Sequence, residues 1–244
     1  MSTKINIFDF DGTLTNDTWP KFWVWVKKFG YDGSKRNDEL EAALAEYRKT
    51  HDGDHLETFF GFFNDLLTTH DASISHEELM EGEQYIIYNP GVEGFLATTA
   101  STNYIVSSGL TDFLKGLHVA KYFKGIYGTP SEYDENGLIT HIGKVMTNAD
   151  KILAIQDILN SNGRDNYNCE NVTYIGDGYS DAESMRFVHE HGGKAIFVHQ
   201  PDNNDKFAEE HNLKIFQMLL KDGVVDYSFV ADYSIGTDLF NALN

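Results

Sequence analysis

Short apolar runs alternate with longer helical patterns along most of the chain. The runs at residues 4–9, 103–107, 172–176 and 195–198 are short and end at polar or glycine-containing turns, which predicts buried strands. Helical patterns lie between them, as over residues 148–160. Strands that alternate with helices favour βαβ crossovers. The sequence therefore predicts an α/β fold with a doubly wound, mostly parallel, Rossmann-like sheet.

Three shorter elements complete the expected order. A short strand is expected near residues 125–127, and a last strand over 226–231. Between them, Asn136 and Gly137 form a pair that suits the tight turn of a β-hairpin.

A helical block interrupts the alternation after the first strand. Residues 56–69 are rich in phenylalanine at helical spacing, and residues 75–78 form a capping box that predicts a helix running to about residue 88. Residues 89–91, Asn-Pro-Gly, break the pattern and predict a hinge. We therefore predict two domains: a core of residues 1–15 and 89–244, and an inserted helical domain of residues 16–88.

Composition and charge exclude several classes of partner. Hydrophobic residues make up 41% of the 244 residues, which is typical of a globular chain. The formal net charge is −19, from 19 basic and 38 acidic side chains. Such a field repels nucleic acid and anionic lipid. We expect neither a nucleic-acid nor a membrane partner, and a site for an anionic substrate would need local cations.

The cysteine count and the length of the apolar runs indicate the cellular compartment in which the protein resides. Cys169 is the only cysteine, so an intrachain disulfide is impossible, which fits a reducing compartment. The aromatic-apolar run at residues 22–26 is far too short to span a bilayer. We expect a cytoplasmic protein, and the sequence leaves its oligomeric state open.

Acidic and hydroxyl side chains stand where the predicted strands end. Asp9 and Asp11 are two residues apart, so on an extended chain they point to the same side, where they repel each other unless a cation or a shared proton lies between them. Ser107 and Gly109 follow the second strand, as an anion cradle or as a simple helix N-cap. Asp177 and Asp181 follow another. Ligands of doubly wound sheets bind at these strand ends, so the sequence predicts a site there.

These strings together resemble the motifs of the haloacid dehalogenase-like hydrolases. Residues 9–15 resemble the family's first signature, the strand ending at Ser107 its second, and residues 176–181 its fourth. The motifs occur in the family's order over the whole chain. The layout is similar to the phosphoserine-phosphatase-like branch, in which the inserted helical block is a type I cap.

The resemblance implies a role for each candidate residue. Asp9 would be a nucleophile that accepts a phosphoryl group, and Asp11 a general acid and base. Mg²⁺ would be held by Asp9, the backbone carbonyl of Asp11 and Asp177, and Asp181 would orient the site, unless it is only a helix N-terminal residue.

The resemblance also implies residues that hold the phosphoryl oxygens. Ser107, the amides near Ser108 and Gly109, and a lysine would do so. Lys151 is favoured over Lys144 for the lysine because it lies in the first turn of a predicted helix.

The implied function is a Mg²⁺-dependent phosphatase that hydrolyses a small phosphorylated metabolite through an aspartyl-phosphate. The acidic residue at Asp11 favours phosphate chemistry, since the dehalogenase branch lacks one there. The alternatives are a phosphotransferase or mutase and a non-catalytic protein that binds a phosphorylated ligand.

The substrate is not named by the resemblance. Phosphoserine phosphatases carry a glutamate where this chain has Thr18, and a cap arginine where it has phenylalanines at 59–63. The arginines of the cap are Arg36 and Arg48. The cap aromatics could form a cage for a quaternary ammonium, line a pocket for a flat substrate, or form the cap's own core; they are Trp19, Phe22, Trp23, Trp25, Phe60 and Phe63.

Overall fold

A computed structural model describes residues 3–16, 25–31, 38–53, 55–200 and 206–244. Six of its strands form one parallel sheet, in the order β3-β2-β1-β6-β7-β8, and two more form a separate antiparallel hairpin, β4-β5. The strands are β1 Ile5–Phe8, β2 Thr102–Leu110, β3 Gly125–Thr129, β4 Ser131–Tyr133, β5 Ile139–Ile142, β6 Val172–Gly176, β7 Lys194–His199 and β8 Tyr227–Val230. The predicted doubly wound sheet is confirmed.

The sheet separates two apolar layers. Neighbouring residues of a strand point to opposite faces, so Phe8 and Ile7 of β1 belong to different clusters of buried side chains. Both faces are covered by helices, which explains why the strands are nearly continuous apolar runs. The described helices are α1 Asp38–Tyr47, α2 His55–Thr69, α3 His76–Met80, α4 Val92–Thr98, α5 Thr111–Gly116, α6 Asn148–Ser161, α7 Ala182–Glu190, α8 Lys206–Lys221 and α9 Asp238–Leu243.

Five elements depart from the sequence prediction. The helix expected from residue 75 to 88 ends at Met80, and a 3-10 helix, Glu81–Tyr85, follows it. The backbone is extended at Ile86, which lets Tyr88 form a bridge with Thr15. β2 continues past the expected end at residue 107, with an irregular register before Leu110. Helices α4, α8 and α9 were not predicted.

The capping box predicted at the start of α3 is present. The Glu78 amide donates to Ser75 Oγ at 3.1 Å, and the Ser75 amide donates to Glu78 Oε2 at 2.9 Å. The predicted hairpin also forms, with Gly137 in the left-handed conformation at φ 78°. Among the described helices, none is both long and apolar enough to cross a membrane.

Within the described residues, backbone hydrogen bonds join the helical block, defined here as residues 16–88, to the rest of the chain at two places. At its ends, Thr15 pairs with Tyr88, and the Asn16 amide donates to the Ile87 carbonyl at 3.0 Å. The two linkers therefore run side by side.

The second place is the hairpin β4-β5. Ile74 and Ile139 exchange backbone hydrogen bonds of 2.8 Å in both directions. The Asn64 side chain pairs with the backbone of Ile142, donating to its carbonyl at 2.9 Å and accepting from its amide at 2.7 Å. The hairpin is thus bonded to the helical block as closely as one strand is to another.

His118 forms an ionic contact between the helical block and the core. Its Nδ1 lies 2.8 Å from Glu83 Oε1, its Nε2 lies 3.3 Å from Glu93 Oε1, and its ring meets Tyr88 edge to face. The hydrogen bond that the His118 ring donates to Glu83 raises the pKa of His118 most, burial opposes this, and Glu93 raises the pKa further.

We expect this contact to stabilise the fold at acidic pH and not at alkaline pH. A histidine whose pKa is raised on folding contributes stability below its unfolded pKa, near 6.5, and loses it as pH rises through the folded pKa. Replacing His118 by glutamine should lower the free energy of unfolding near pH 6 by about 1 kcal/mol or less, because solvent screens this half-exposed group. Urea titrations of both proteins at pH 6 and 9 measure this. Equal differences at both pH values would contradict the assignment.

Candidate active site

The carboxyl ends of three neighbouring strands bring the polar residues together. β1 lies between β2 and β6, so Asp9, Ser107 and Asp177 come to the same edge of the sheet. The Asp9 amide donates to the Ile175 carbonyl at 2.9 Å, which extends the β1-β6 ladder by one residue. The chain reverses its direction across the sheet here, which is where ligands of such folds bind.

Gly12 places the turn after Asp11 directly against Asp177. Its φ is +76°, a left-handed conformation that favours glycine. A Cβ on Gly12 would lie 2.0 Å from Asp177 Oδ2. A larger residue at position 12 would therefore displace the carboxylate.

Three carboxylates crowd at this edge. One oxygen each of Asp9, Asp177 and Asp181 lies within 4.8 Å of the other two. Burial raises the pKa of Asp9 to about 7; Lys151 opposes this shift, while Asp181 and Asp11 add to it. Burial also raises the pKa of Asp177 well above its ordinary value, and repulsion from Asp181 and Asp9 raises it further. The cluster carries more negative charge than its own surroundings balance.

Lys151 is the cation inside this cluster. Its Nζ lies 3.1 Å from Asp9 Oδ1 and 2.8 Å from Asp181 Oδ1, and the side chain is only 1% exposed. Burial lowers the pKa of Lys151, but the two carboxylates outweigh this and hold the pKa well above its ordinary value. The other candidate, Lys144, is 77% exposed and pairs with Asp150. The structure thus brings Lys151 to the site and leaves Lys144 at the surface.

Asp181 faces the cluster rather than capping a helix. It occupies the residue before α7, yet its side chain makes no capping hydrogen bond. Oδ1 accepts hydrogen bonds from Lys151 and, at 2.7 Å, from the Tyr174 hydroxyl. Oδ2 is buried and has no hydrogen-bond partner among the described residues. Sequence reasoning missed Tyr174, whose hydroxyl lies in an otherwise apolar strand.

The donor set suits a hard divalent cation. The oxygens that lie close together here all belong to carboxylates, the ligands that Mg²⁺ prefers. Asp181 Oδ2 is buried and accepts no hydrogen bond from the described residues. A cation would also relieve the repulsion that raises the pKa of Asp177. The residues present therefore fit a metal ion bound by Asp9 and Asp177.

Ser107 and Asp11 flank one space beside Gly109. A Cβ on Gly109 would lie 3.4 Å from Ser107 Oγ and 3.7 Å from Asp11 Oδ2, so both groups border the same small space beside this glycine. The Gly109 amide donates to Ser107 Oγ at 3.1 Å. The hydroxyl of Ser108 instead donates to the Met146 carbonyl, at 2.7 Å, which leaves its backbone as the part that can face a ligand.

Sequence reasoning also missed three side chains that hold the turn after β1. Asn89 Nδ2 and the Tyr233 hydroxyl both donate to the Thr13 carbonyl, at 2.8 and 3.1 Å. Gln200 Nε2 donates to the Gly12 carbonyl at 2.6 Å. All three are distant in sequence from the turn, and no local pattern marks them.

Of the six aromatics considered for substrate recognition, the three that the structure describes are buried. Trp25, Phe60 and Phe63 are no more than 3% exposed, and Arg48 is hydrogen-bonded to Thr58 and His55. None of these three rings is therefore accessible to a quaternary ammonium ligand. The remaining residues considered for substrate recognition lie outside the described part of the chain; they are Thr18, Trp19, Phe22, Trp23 and Arg36.

The arrangement agrees with a comparison to protein families. A family model described as haloacid dehalogenase-like hydrolase matches residues 7–186, which span every motif of the site. The chain belongs to the haloacid dehalogenase-like hydrolase family. A search of curated proteins gave no match.

Solved structures share the fold of this hydrolase. A substrate-bound phosphoserine phosphatase matches with a TM-score of 0.61 at 14% identity over 100% of both chains. A phospho-aspartyl intermediate analogue of phosphoserine phosphatase matches with a TM-score of 0.59 at 15% identity over 94% of each chain.

A family member from Salmonella enterica subsp. enterica serovar Typhi matches with a TM-score of 0.56 at 19% identity, covering 80% of this chain and 62% of that one. The chain thus spans about three fifths of the Salmonella protein's length. At these identities the likeness shows a common fold.

We expect the Lys151 ion pairs to be essential for stability. Replacing Lys151 by methionine leaves Asp9 and Asp181 buried without their cation, which should lower the free energy of unfolding by about 3–5 kcal/mol. The matched control is Lys144→Met, which removes an exposed pair and should cost about 0.5 kcal/mol or less. Urea denaturation in EDTA at neutral pH compares the two. Similar losses of unfolding free energy in both variants would show that the buried ion pairs stabilise the protein no more than the exposed pair does.

Proposed function

We propose that the chain is a magnesium-dependent phosphatase that hydrolyses a small phosphomonoester through an aspartyl-phosphate on Asp9. The observation that carries the proposal is the Asp9 carboxylate, buried at the end of β1 and bonded to Lys151 beside Asp177. A nucleophile held by a buried cation, next to a second carboxylate suited to a metal, is the machinery that phosphoryl transfer needs. The phospho-aspartyl analogue of the phosphoserine phosphatase structure supports the same chemistry here.

In the proposed mechanism Asp9 attacks phosphorus and the alcohol leaves. Asp11 gives its proton to the leaving oxygen, then takes a proton from the water that hydrolyses the aspartyl-phosphate. Lys151 and Ser107 hold the phosphoryl oxygens. Lys151 has a raised pKa and stays protonated throughout, so it balances the negative charge that moves onto phosphate.

Asp9, Asp177 and the backbone carbonyl of Asp11 would hold Mg²⁺, with Asp181 and its partner Tyr174 keeping the neighbouring charges in place. When bound, the ion offsets the repulsion between the carboxylate nucleophile and the anionic substrate. This role fits a chain whose formal net charge is −19, since a phosphate would otherwise be repelled.

The domain boundaries predicted from sequence form part of this proposal. Residues 1–15 and 89–244 are the catalytic core, and residues 16–88 are a cap that covers the strand ends and excludes bulk water. The paired linkers at Thr15 and Tyr88 are the hinge between them.

Phosphoserine is disfavoured as the substrate. The phenylalanines at 59–63 belong to the core of the helical block, where the phosphoserine phosphatases carry an arginine. Arg48 is already bonded to Thr58 and His55. The alternative of transfer to a second alcohol shares every catalytic residue and differs only in the acceptor.

The test is phosphate release from a panel of phosphorylated metabolites, with Mg²⁺ and with EDTA. The panel contains phosphocholine, phosphoethanolamine, phosphoserine, sugar phosphates, nucleotides and pyridoxal phosphate. We expect release that needs Mg²⁺, that Asp9→Asn abolishes, and that Asp11→Asn lowers by about a hundredfold or more. Mass spectrometry of acid-quenched wild-type protein should find a phosphoryl group on the peptide that contains Asp9.

Each other outcome of the panel has a definite meaning. Consumption of substrate without free phosphate, with a phosphorylated acceptor among the products, would replace hydrolysis by transfer. Binding of a phosphorylated ligand without turnover would make the protein a binder. Full activity of Asp9→Asn would remove the nucleophile from the proposal.

Gly12 gives a separate test of the metal site. A Gly12→Ala substitution forces Asp177 away, so the Mg²⁺ affinity measured by calorimetry should fall by about tenfold or more, as for loss of a ligand-orienting residue. Gly137→Ala is the matched control, because Gly137 has the same left-handed φ and nothing within 4 Å of an added Cβ. Its Mg²⁺ affinity should equal that of the wild type. An unchanged affinity in Gly12→Ala would exclude Asp177 as a ligand.

A further inference from the structure

Gln200 holds the turn that follows the two catalytic aspartates. Its Nε2 donates to the Gly12 carbonyl at 2.6 Å and to the Thr15 carbonyl at 3.2 Å. Gln200 directly follows β7, and its Oε1 is buried without a partner among the described residues. Among the described residues, the amide nitrogen is therefore the part of the side chain that forms hydrogen bonds, and it binds a carbonyl at each end of the turn.

The Gly12 peptide needs such an external bond. Glycine has no Cβ to restrict its rotation, so the steric contacts of the residue itself do little to fix the direction of its carbonyl. Rotation at Gly12 would move Asp11, which directly precedes it, relative to Asp177, which packs against Gly12 from the end of β6. In the part of the chain that the structure describes, Gln200 is the one donor to this carbonyl.

The neighbouring carbonyl shows the contrast. Thr13 accepts hydrogen bonds from both Asn89 and Tyr233, so loss of one donor leaves the other in place. The Gly12 carbonyl has no such second donor among the described residues. A change at Gln200 therefore removes the donor to the Gly12–Thr13 peptide, which lies one residue beyond Asp11.

We propose that Gln200 is a positioning residue for Asp11. By fixing the Gly12–Thr13 peptide, it keeps the Asp11 carboxyl near Gly109, on which Ser107 Oγ also borders, so that a leaving oxygen can receive the proton there. The inference rests on the proposed phosphatase function, because it concerns the step in which Asp11 protonates the leaving alcohol.

The experiment compares two substrates that differ in their need for that proton. An alkyl phosphate, the best one from the panel, has a poor leaving group, whereas p-nitrophenyl phosphate has a good one. Single-turnover release of the alcohol or phenol, with enzyme in excess, measures the phosphorylation step alone. For Gln200→Met, alkyl release should slow by about tenfold to a hundredfold, while phenol release should slow by about threefold or less.

Several readouts separate positioning from general damage. Asp11→Asn sets the ratio of alkyl to phenol rates that complete loss of the acid gives, and Gln200→Met should shift the ratio in the same direction. Gln84→Met is the matched control, since Gln84 also donates from Nε2 to a backbone carbonyl but lies exposed in the helical block. It should keep both rates.

Gln200→Glu preserves the shape of the side chain and guards against a misfolded methionine variant. Its charged carboxylate cannot donate to the Gly12 carbonyl, whereas its neutral form can. We therefore expect the alkyl rate, relative to wild type at the same pH, to recover as pH is lowered.

Two results would overturn the positioning role of Gln200. They are an equal slowing of both substrates in folded Gln200→Met, or an unchanged alkyl rate in that variant. Failure of the phosphatase function itself looks different, because the wild type would then release neither product in the presence of Mg²⁺.

Discussion

The structure of the site depends on one buried ammonium group. Lys151 lies between the carboxylates of Asp9 and Asp181, almost without contact with water, and it reaches both because the capping box at Thr147 and Asp150 begins α6 at the right residue. Burying these charges is unfavourable unless each has a partner of opposite sign. A single cation cannot balance Asp9, Asp177 and Asp181 together, so the strand ends carry a deficit of positive charge. In the phosphatase that we propose, a metal ion would offset this deficit and allow a phosphate to approach.

The sheet explains how such an unfavourable cluster is maintained. β1, β2 and β6 are adjacent and buried on both faces, so their carboxyl ends are rigidly spaced by the hydrogen bonds of the ladder. The carboxylates Asp9 and Asp177 stand just beyond the ends of β1 and β6, where the chain leaves the apolar layers. The stability of the layers supports the electrostatic strain at the edge, a division that many enzymes show between scaffold and site.

Much of the arrangement could be predicted from sequence, because local pattern encodes it. The strands are apolar runs, the cap of α3 is a four-residue signature, and Asp9, Asp11 and Asp177 stand at strand ends. What could not be predicted depends on contacts between distant parts of the chain. Tyr174 shares Asp181 with Lys151, and Gln200 reaches back 188 residues to Gly12. The spacing of apolar residues along the sequence does not indicate such long-range contacts. The end of the helix at Met80 was also missed: a 3-10 helix covers residues 81–85, and the extended backbone that begins at Ile86 is fixed by the pairing of Tyr88 with Thr15 rather than by propensity.

The hairpin β4-β5 constrains how the helical block can move. A body joined to another only by two neighbouring linkers can swing about the line through them. Here the hairpin adds a third attachment, through Ile74, Ile139 and Asn64. These residues are separate in sequence from both linkers. If those bonds persist while the block moves, the hairpin moves with it, and the segments that flank the hairpin must bend together with the paired linkers. One of these segments leads directly into α6 and Lys151. The same few residues therefore connect the moving hairpin to the core and hold the buried ammonium group in position.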